Sequence, residues 1–173
     1  MIESIPNVAL SPAAVPALRP LLESGVWVAA ETGRPLQEIL CGQWKIPADY
    51  VAGRISTIFL NAKPVDDLDV IVADESVLAL SAAMPGLVGA TMRRGGVLGG
   101  FRGDISHRDA GATDSARSGW IRVKLFNMIA EEMGGHFLRM GFRAPRAALA
   151  ECLGAASPTL PGVPMVGVAA SGE

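Results

Sequence analysis

The residues best suited to chemistry lie in one glycine-rich stretch, MRRGGVLGGFRGDISHRDAGATDSARSG (92–119). Its paired glycines allow successive backbone N–H groups to converge on an anion. Its arginines can add charge-assisted hydrogen bonds to the same ligand. The candidate residues for binding a small anionic ligand are therefore Arg93, Arg94, Gly99, Gly100 and Arg102. The stretch matches no phosphate-loop or dinucleotide-binding motif, so a mobile surface loop without a ligand is the alternative.

The same stretch carries carboxylates and a histidine at close spacing. Such groups can hold a divalent metal ion or act as acid and base. The candidate metal ligands are Asp104, His107 and Asp109. Surface pairing of these aspartates with neighbouring arginines is the alternative. No serine sits in a G-x-S-x-G motif, so the sequence predicts no catalytic residue and leaves any cofactor unknown.

The charge of the chain is unevenly distributed. Residues 1–88 carry five Lys/Arg and ten Asp/Glu, whereas residues 89–150 carry ten and five. This division suits docking to an acidic partner or phosphate, or self-association, although two solvated faces that neutralise each other are the alternative. We expect a protein partner or a second copy. Nucleic acid is not expected, because the basic half has few aromatic residues and the pI is about 5.7.

The cellular compartment is predicted from the cysteines and the hydropathy. Cys41 and Cys152 lie far apart in apolar helical contexts without CxxC spacing, which is typical of reduced thiols in a cytoplasmic protein. No apolar run reaches membrane-spanning length. The first 20 residues lack the basic start and continuous apolar region of a signal peptide. We therefore predict a cytoplasmic protein without a membrane partner.

The elements that would position these residues follow from periodicity. We predict a proline-rich N-terminal arm (1–24), one α+β domain (25–153) and an extended or disordered tail rich in Pro, Gly and Ala (154–173). The predicted elements of the domain are strands at 26–30, 54–61, 68–72, 77–82 and 120–126, helices at 35–44, 128–140 and 145–153, and a glycine-rich loop at 86–119. Alternation in WIRVKLF places Trp120, Arg122 and Lys124 on one face of its strand.

Two stretches resemble part of a known family. TIFLNAKPVDDLD (57–69) and ADESVLALSAAMPGLVG (73–89) are similar to the second half of small β-grasp sulfur carriers, namely the molybdopterin-synthase small subunit and the thiamine-pathway carrier. The resemblance covers about residues 25–96, with Asn61 at the family's turn asparagine. It implies a β-grasp-like mixed sheet with one short helix over 25–90. The periodicity described above adds a strand–helix–helix segment (120–153) packed on it.

The resemblance also implies a carrier tail at Gly95 and Gly96. A carrier is activated at a terminal carboxylate, so this activity would require cleavage after Gly96. Our leading hypothesis is instead a non-enzymatic, cytoplasmic, β-grasp-related binding or interaction module that is oligomeric. The alternatives are a sulfur-carrier-like protein, and an enzyme or ligand-binding protein that uses the loop 92–118 for an anionic or metal-bound ligand.

Overall fold

The fold is α+β, as predicted, and is built on a large mixed sheet. The computed structural model describes residues 6–82, 86–96, 115–154 and 164–171. In that part of the chain the strands are β1 (Asn7–Leu10), β2 (Val26–Thr32), β3 (Arg34–Pro35), β4 (Thr57–Leu60), β5 (Lys63–Pro64), β6 (Ile71–Val72), β7 (Val77–Ser81), β8 (Arg117–Phe126), β9 (Phe142–Pro145) and β10 (Met165–Ala170).

Helices occupy much of the remaining described chain. A 3₁₀ turn (Pro12–Ala14) and a π-helix (Glu38–Gln43) accompany α1 (Arg19–Ser24), α2 (Ala48–Gly53), α3 (Gly86–Met92), α4 (Met128–Met140) and α5 (Arg146–Leu153). The predicted helices at 128–140 and 145–153 are confirmed. The predicted loop at 86–119 is wrong at both ends, because α3 begins it and β8 starts at Arg117.

Eight strands form one sheet in the order β1-β10-β9-β2-β8-β7-β4-β5. β8 lies between β2 and β7, antiparallel to the first and parallel to the second. The strands of the segment 25–90 are therefore not contiguous in the sheet. β8, which lies outside that segment, supplies the backbone hydrogen-bond partners of both β2 and β7.

The predicted N-terminal arm and C-terminal tail both contribute strands. β1 pairs in parallel with β10, and β10 pairs antiparallel with β9. Residues 7–10 and 165–170 are therefore extended, which was one alternative for the tail, and both segments are paired within the sheet of the domain. The backbone N–H and C=O groups of an isolated strand have no partners. β1 and β10 supply such partners to each other although they lie far apart in the sequence.

One face of the sheet forms the core. Alternate residues along β2, β7 and β8 are buried, including Val28, Leu78 and Val123, and β10 buries Val166 and Val168. Both α1 and α4 contact this sheet and each other. Ile129, Met133 and Phe137 of α4 are buried as its periodicity predicts, whereas Met140 is exposed. Gly134 allows the close approach of α4 to the N-terminal segment, since a Cβ there would lie 2.8 Å from Val15 Cγ1.

Helical structure after β3 is held onto the same core. Trp44, at the end of the π-helix, is buried, and its Nε1 donates to the carbonyl of Ala29 in β2 at 3.0 Å. Its ring meets Phe137 of α4 edge-on, with 5.6 Å between the ring centroids. The backbone N–H of Trp44 donates to Ile39, five residues back, as in a π-helix. The predicted helix at 35–44 is thus present with π geometry over most of its length.

Candidate functional site

A row of cationic and aromatic side chains crosses the opposite face of the sheet. In the strand register Trp27 of β2 is paired with Arg122 of β8 on one side and with Arg143 of β9 on the other. Paired residues on neighbouring strands point to the same face. All three side chains are half-buried. The order across three strands is therefore arginine, tryptophan, arginine.

A second tryptophan joins this row. Trp120 is paired with Ala29, two residues along β2 from Trp27. The guanidinium carbon of Arg143 lies 3.7 Å from the Trp120 ring centroid, a cation–π contact that passes over Ala29. We call Trp27, Trp120, Arg122 and Arg143 the tryptophan–arginine cluster. Lys124 of β8 lies on the same face, next to Arg122 in the alternation.

Two cavities open over this face, and both are lined by Trp120 and Arg143. The larger one, the groove, has a volume of about 610 Å³ and extends over β9, β10 and β1. Its floor includes the small residues Ala9, Ala29, Gly167 and Ala169. The smaller cavity has a volume of about 220 Å³ and is also lined by Trp27, Asp74, Glu75 and Met165. Trp120 and Arg143 thus lie at the boundary between two concave surfaces.

Asp74 fixes the position of Trp120. Its Oδ1 accepts hydrogen bonds from the backbone N–H of Trp120 at 2.8 Å and of Glu75 at 3.0 Å. The Glu75 N–H also donates to the Trp120 carbonyl at 2.9 Å. A side chain at Gly119 would overlap the Asp74 carboxylate, so glycine is required for this approach. The turn before β7 therefore holds the first residues of β8 in register.

The side chain of Arg122 is anchored to the last residue of α1. Its Nη2 donates to the carbonyl of Ser24 at 3.0 Å. Its Nε is buried and makes no hydrogen bond to any residue that the structure describes. The hydrogen bond to Ser24 thus holds the guanidinium on the face that carries Trp27.

The predicted carrier tail is bound to the body of the protein. The backbone N–H of Arg94 donates to Ser56, and Arg94 Nη2 donates to the carbonyl of Val51 at 2.7 Å. The N–H of Gly95 donates to Asp66 Oδ1 at 3.2 Å. Desolvation lowers the pKa of Arg94, an effect that Asp66 partly opposes. These contacts hold Gly95 against the acidic turn, and the Arg94 guanidinium faces protein backbone.

Other predicted site residues lie partly outside the described chain. Arg93 is exposed and has a partner within the protein. The remaining anion candidates Gly99, Gly100 and Arg102, and the metal candidates Asp104, His107 and Asp109, lie outside the described residues. In the part of the chain that is described, no cluster of three or more metal-ligating side chains occurs. Anion binding and metal binding by the loop 92–118 stay predictions.

His136 and the two cysteines are half-buried within the fold. His136 is half-buried, and its Nε2 lies 2.7 Å from the Trp44 carbonyl, so its ring is hydrogen-bonded to the backbone. Cys41 and Cys152 are free thiols, both half-buried. Burial raises the pKa of both thiols, which keeps them protonated near neutral pH.

Comparison with known proteins does not assign the chain to a family. No family model, no curated protein and no solved structure gives a significant match to the chain. A search of the described helices finds none long and apolar enough to cross a membrane.

Sequence reasoning found half of the cluster. Alternation in β8 correctly predicted that Trp120, Arg122 and Lys124 share a face. It missed Trp27 and Arg143 as their neighbours. The signals were present, because VWVAA and FRAP each alternate apolar and larger side chains, but FRAP is short and had not been read as a strand.

Proposed function

We propose that this protein is a non-enzymatic binding module that recognises an anionic partner through the tryptophan–arginine cluster. The observation that carries the proposal is the row Arg143–Trp27–Arg122 on three adjacent strands, with a cavity on each side of the Trp120–Arg143 contact. Concave, partly apolar surfaces with a few fixed polar groups are the usual form of binding sites. Cations within such a surface attract anions more strongly than they would on a flat, fully wet one.

The charge distribution supports an anionic partner. Arg122, Lys124 and Arg143 all come from the basic segment 89–150. Among the described residues, none of these three forms an ion pair with a carboxylate. Arginines elsewhere, such as Arg19, Arg34 and Arg54, are paired with glutamates. The cations of the cluster are therefore available for a partner.

Binding to three anionic probes tests the proposal. Heparin, polyglutamate and polyphosphate would be titrated while tryptophan fluorescence is followed, since Trp27 and Trp120 lie in the site. We expect at least one probe to bind, and the double variant R122Q/R143Q to weaken that binding at least tenfold. The control R139Q removes an exposed arginine of α4. Failure of all three probes, or an equal loss in R139Q, would overturn the proposal.

A second copy of the chain is one anionic partner that the fold provides. Asp67 and Asp69 lie in an exposed acidic turn that can reach the cluster of another molecule. Light scattering measures this directly. Oligomers that dissociate in R122Q/R143Q or at high salt support self-association through the cluster, and a monomer at all concentrations excludes it.

The β-grasp relationship belongs to the same proposal. The predicted β-grasp unit has a strand, a helix and two further strands in chain order, and β2, the π-helix, β4 and β7 correspond to these elements. Because β8 lies between β2 and β7, a β-grasp unit here would have to include β8. A fragment of residues 25–96 distinguishes the cases by circular dichroism. A cooperatively folded fragment supports an autonomous β-grasp unit, and an unfolded one shows that β8 is required.

Sulfur-carrier activity is the second hypothesis, and intact mass tests it. A product from the native host that ends at Gly96, or that is heavier there by a sulfur-for-oxygen exchange, would support it. Full-length protein alone would exclude it. The hydrogen bonds of Arg94 and Gly95 to the body of the protein favour the binding module, because a carrier terminus has to enter a partner's active site.

A further inference from the structure

We infer that the anionic partner is a single-stranded nucleic acid, with bases stacked on Trp27 and on the Trp120–Arg143 pair, and phosphates bound by Arg122, Lys124 and the N–H edge of the Arg143 guanidinium. This inference rests on the proposed function, because it assigns the chemistry of the ligand at the same cluster. It reverses the sequence-based expectation, which rested on the few aromatic residues of the basic half and on the acidic pI. The fold places Trp27, from the acidic half, between two arginines of the basic half.

The spacing of the two tryptophans suits successive bases. Trp27 faces Arg122, and Trp120 lies two residues from Arg122 on the same strand, so the indoles are diagonal neighbours. Diagonal positions on adjacent strands are about 7–8 Å apart. Stacked bases rise about 3.4 Å per nucleotide along one strand. The distance between the two tryptophan positions is thus about twice the rise of a continuous stack. It suits two neighbouring bases that are unstacked from each other and placed on separate side chains, as when proteins bind single strands on sheet faces.

The groove has the shape and polarity for a nucleobase. Its floor is formed by Ala9, Ala29, Gly167 and Ala169, whose small side chains leave a shallow apolar surface beside the indole of Trp120. Asn7 lines the same groove and carries an amide that can both donate and accept hydrogen bonds. A planar ring with polar edges fits this combination. A purely acidic peptide such as polyglutamate would use the arginines and leave the indoles and the apolar floor without a complementary group.

The charges predict how strong the salt dependence should be. With three cations in reach, the slope of log Kobs against log salt for a single strand is at most about −2. Glu75, which lines the smaller cavity and is exposed, opposes the binding of phosphate. Neutralising it in E75Q should tighten binding. A tighter E75Q complex together with a weaker R143Q complex would locate the ligand at this surface.

Fluorescence anisotropy with labelled ten-nucleotide oligomers tests the inference on the full chain. The probes are single-stranded RNA and DNA of mixed sequence, a matched duplex, and polyglutamate of similar charge. We expect single strands to bind at least tenfold more tightly than the duplex and polyglutamate. W120L and R143Q should each weaken binding at least tenfold, while W120F, which keeps a stacking ring, and R139Q should stay within about threefold of the unmodified protein.

The outcomes separate the two proposals. Polyglutamate binding that depends on Arg143, with no binding of single strands, overturns the nucleic-acid inference and leaves the anionic-partner proposal standing. Equal binding of duplex and single strand, or equal affinity of W120L and W120F, also overturns the inference, since stacking would then contribute nothing. Failure of every probe overturns both. Thermal unfolding of each variant, expected within about 5 °C of the unmodified protein, shows that a loss of binding is not a loss of fold.

Discussion

The guanidinium of Arg143 lies 3.7 Å from the ring centroid of Trp120, although β2 separates the strands that carry them. The contact therefore bridges three strands over the small side chain of Ala29. An arginine on the face of an indole at a partly exposed site contributes about 0.5–1 kcal/mol. The same contact shapes the boundary between the two cavities.

A double-mutant cycle measures this contact. We expect R143Q and W120L to show a coupling energy of about 0.5–1 kcal/mol in urea unfolding, because each removes one side of the cation–π pair. The control cycle combines W120L with R139Q, whose side chain lies on α4, and should give no coupling. A coupling near zero for the first cycle would show that the contact does not stabilise the fold.

The Asp74 carboxylate should be required for the position of Trp120. D74A leaves the half-buried Trp120 N–H without its side-chain acceptor and should lower the free energy of unfolding by about 1–2 kcal/mol. D74N keeps an acceptor oxygen and should lose less. The emission maximum of tryptophan should shift in D74A and not in D74N. Equal stabilities of the two variants would contradict a hydrogen-bonding role for Asp74.

The turn between β4 and β5 offers a stabilising substitution. Asn61 and Ala62 both have positive φ, at 50° and 65°, the geometry of a tight hairpin turn. Alanine is strained in this region by about 1–2 kcal/mol, whereas glycine is not, although its extra chain entropy offsets part of the gain. A62G should raise the free energy of unfolding by about 0.5–1 kcal/mol, measured by urea unfolding. N61A should lower it, since Asn61 Oδ1 also accepts from Val77 at 2.8 Å.

Acid stability should depend on Glu132. Hydrogen bonds from Arg54 and then Tyr50 lower the pKa of Glu132 from 4.5 to about 2. A lowered folded-state pKa stabilises the protein above the unfolded-state pKa, and this stabilisation is lost as pH falls through the folded-state value. The loss should therefore occur between about pH 4.5 and 2.

Two variants check this pH dependence. E132Q should flatten the fall in thermal midpoint over that pH range, because glutamine does not titrate. Y50F removes one of the two hydrogen-bond donors and should give a smaller change in the same direction. An unchanged profile in E132Q would show that other carboxylates govern acid unfolding.

Local sequence patterns determined the α+β class and the elements that carry a clear period. The alternation of WIRVKLF predicted which face of β8 is buried, and the spacing of Ile129, Met133 and Phe137 predicted the buried side of α4. Both follow from periods of two and 3.6 residues that a single segment contains. Trp120, Arg122 and Lys124 were for the same reason predictable as neighbours.

The tertiary structure alone decided the order of the strands and therefore the site. β1 and β10 join the sheet although their own segments are rich in proline and glycine, because each supplies the hydrogen-bond partners that the other needs. The insertion of β8 between β2 and β7 depends on pairing across about ninety residues, which no local period encodes. Trp27 and Arg143 lie 116 residues apart in the numbering (143 − 27) and become neighbours only through the pairing of β2 with β9. The register of such a pairing is fixed by which faces can be buried together.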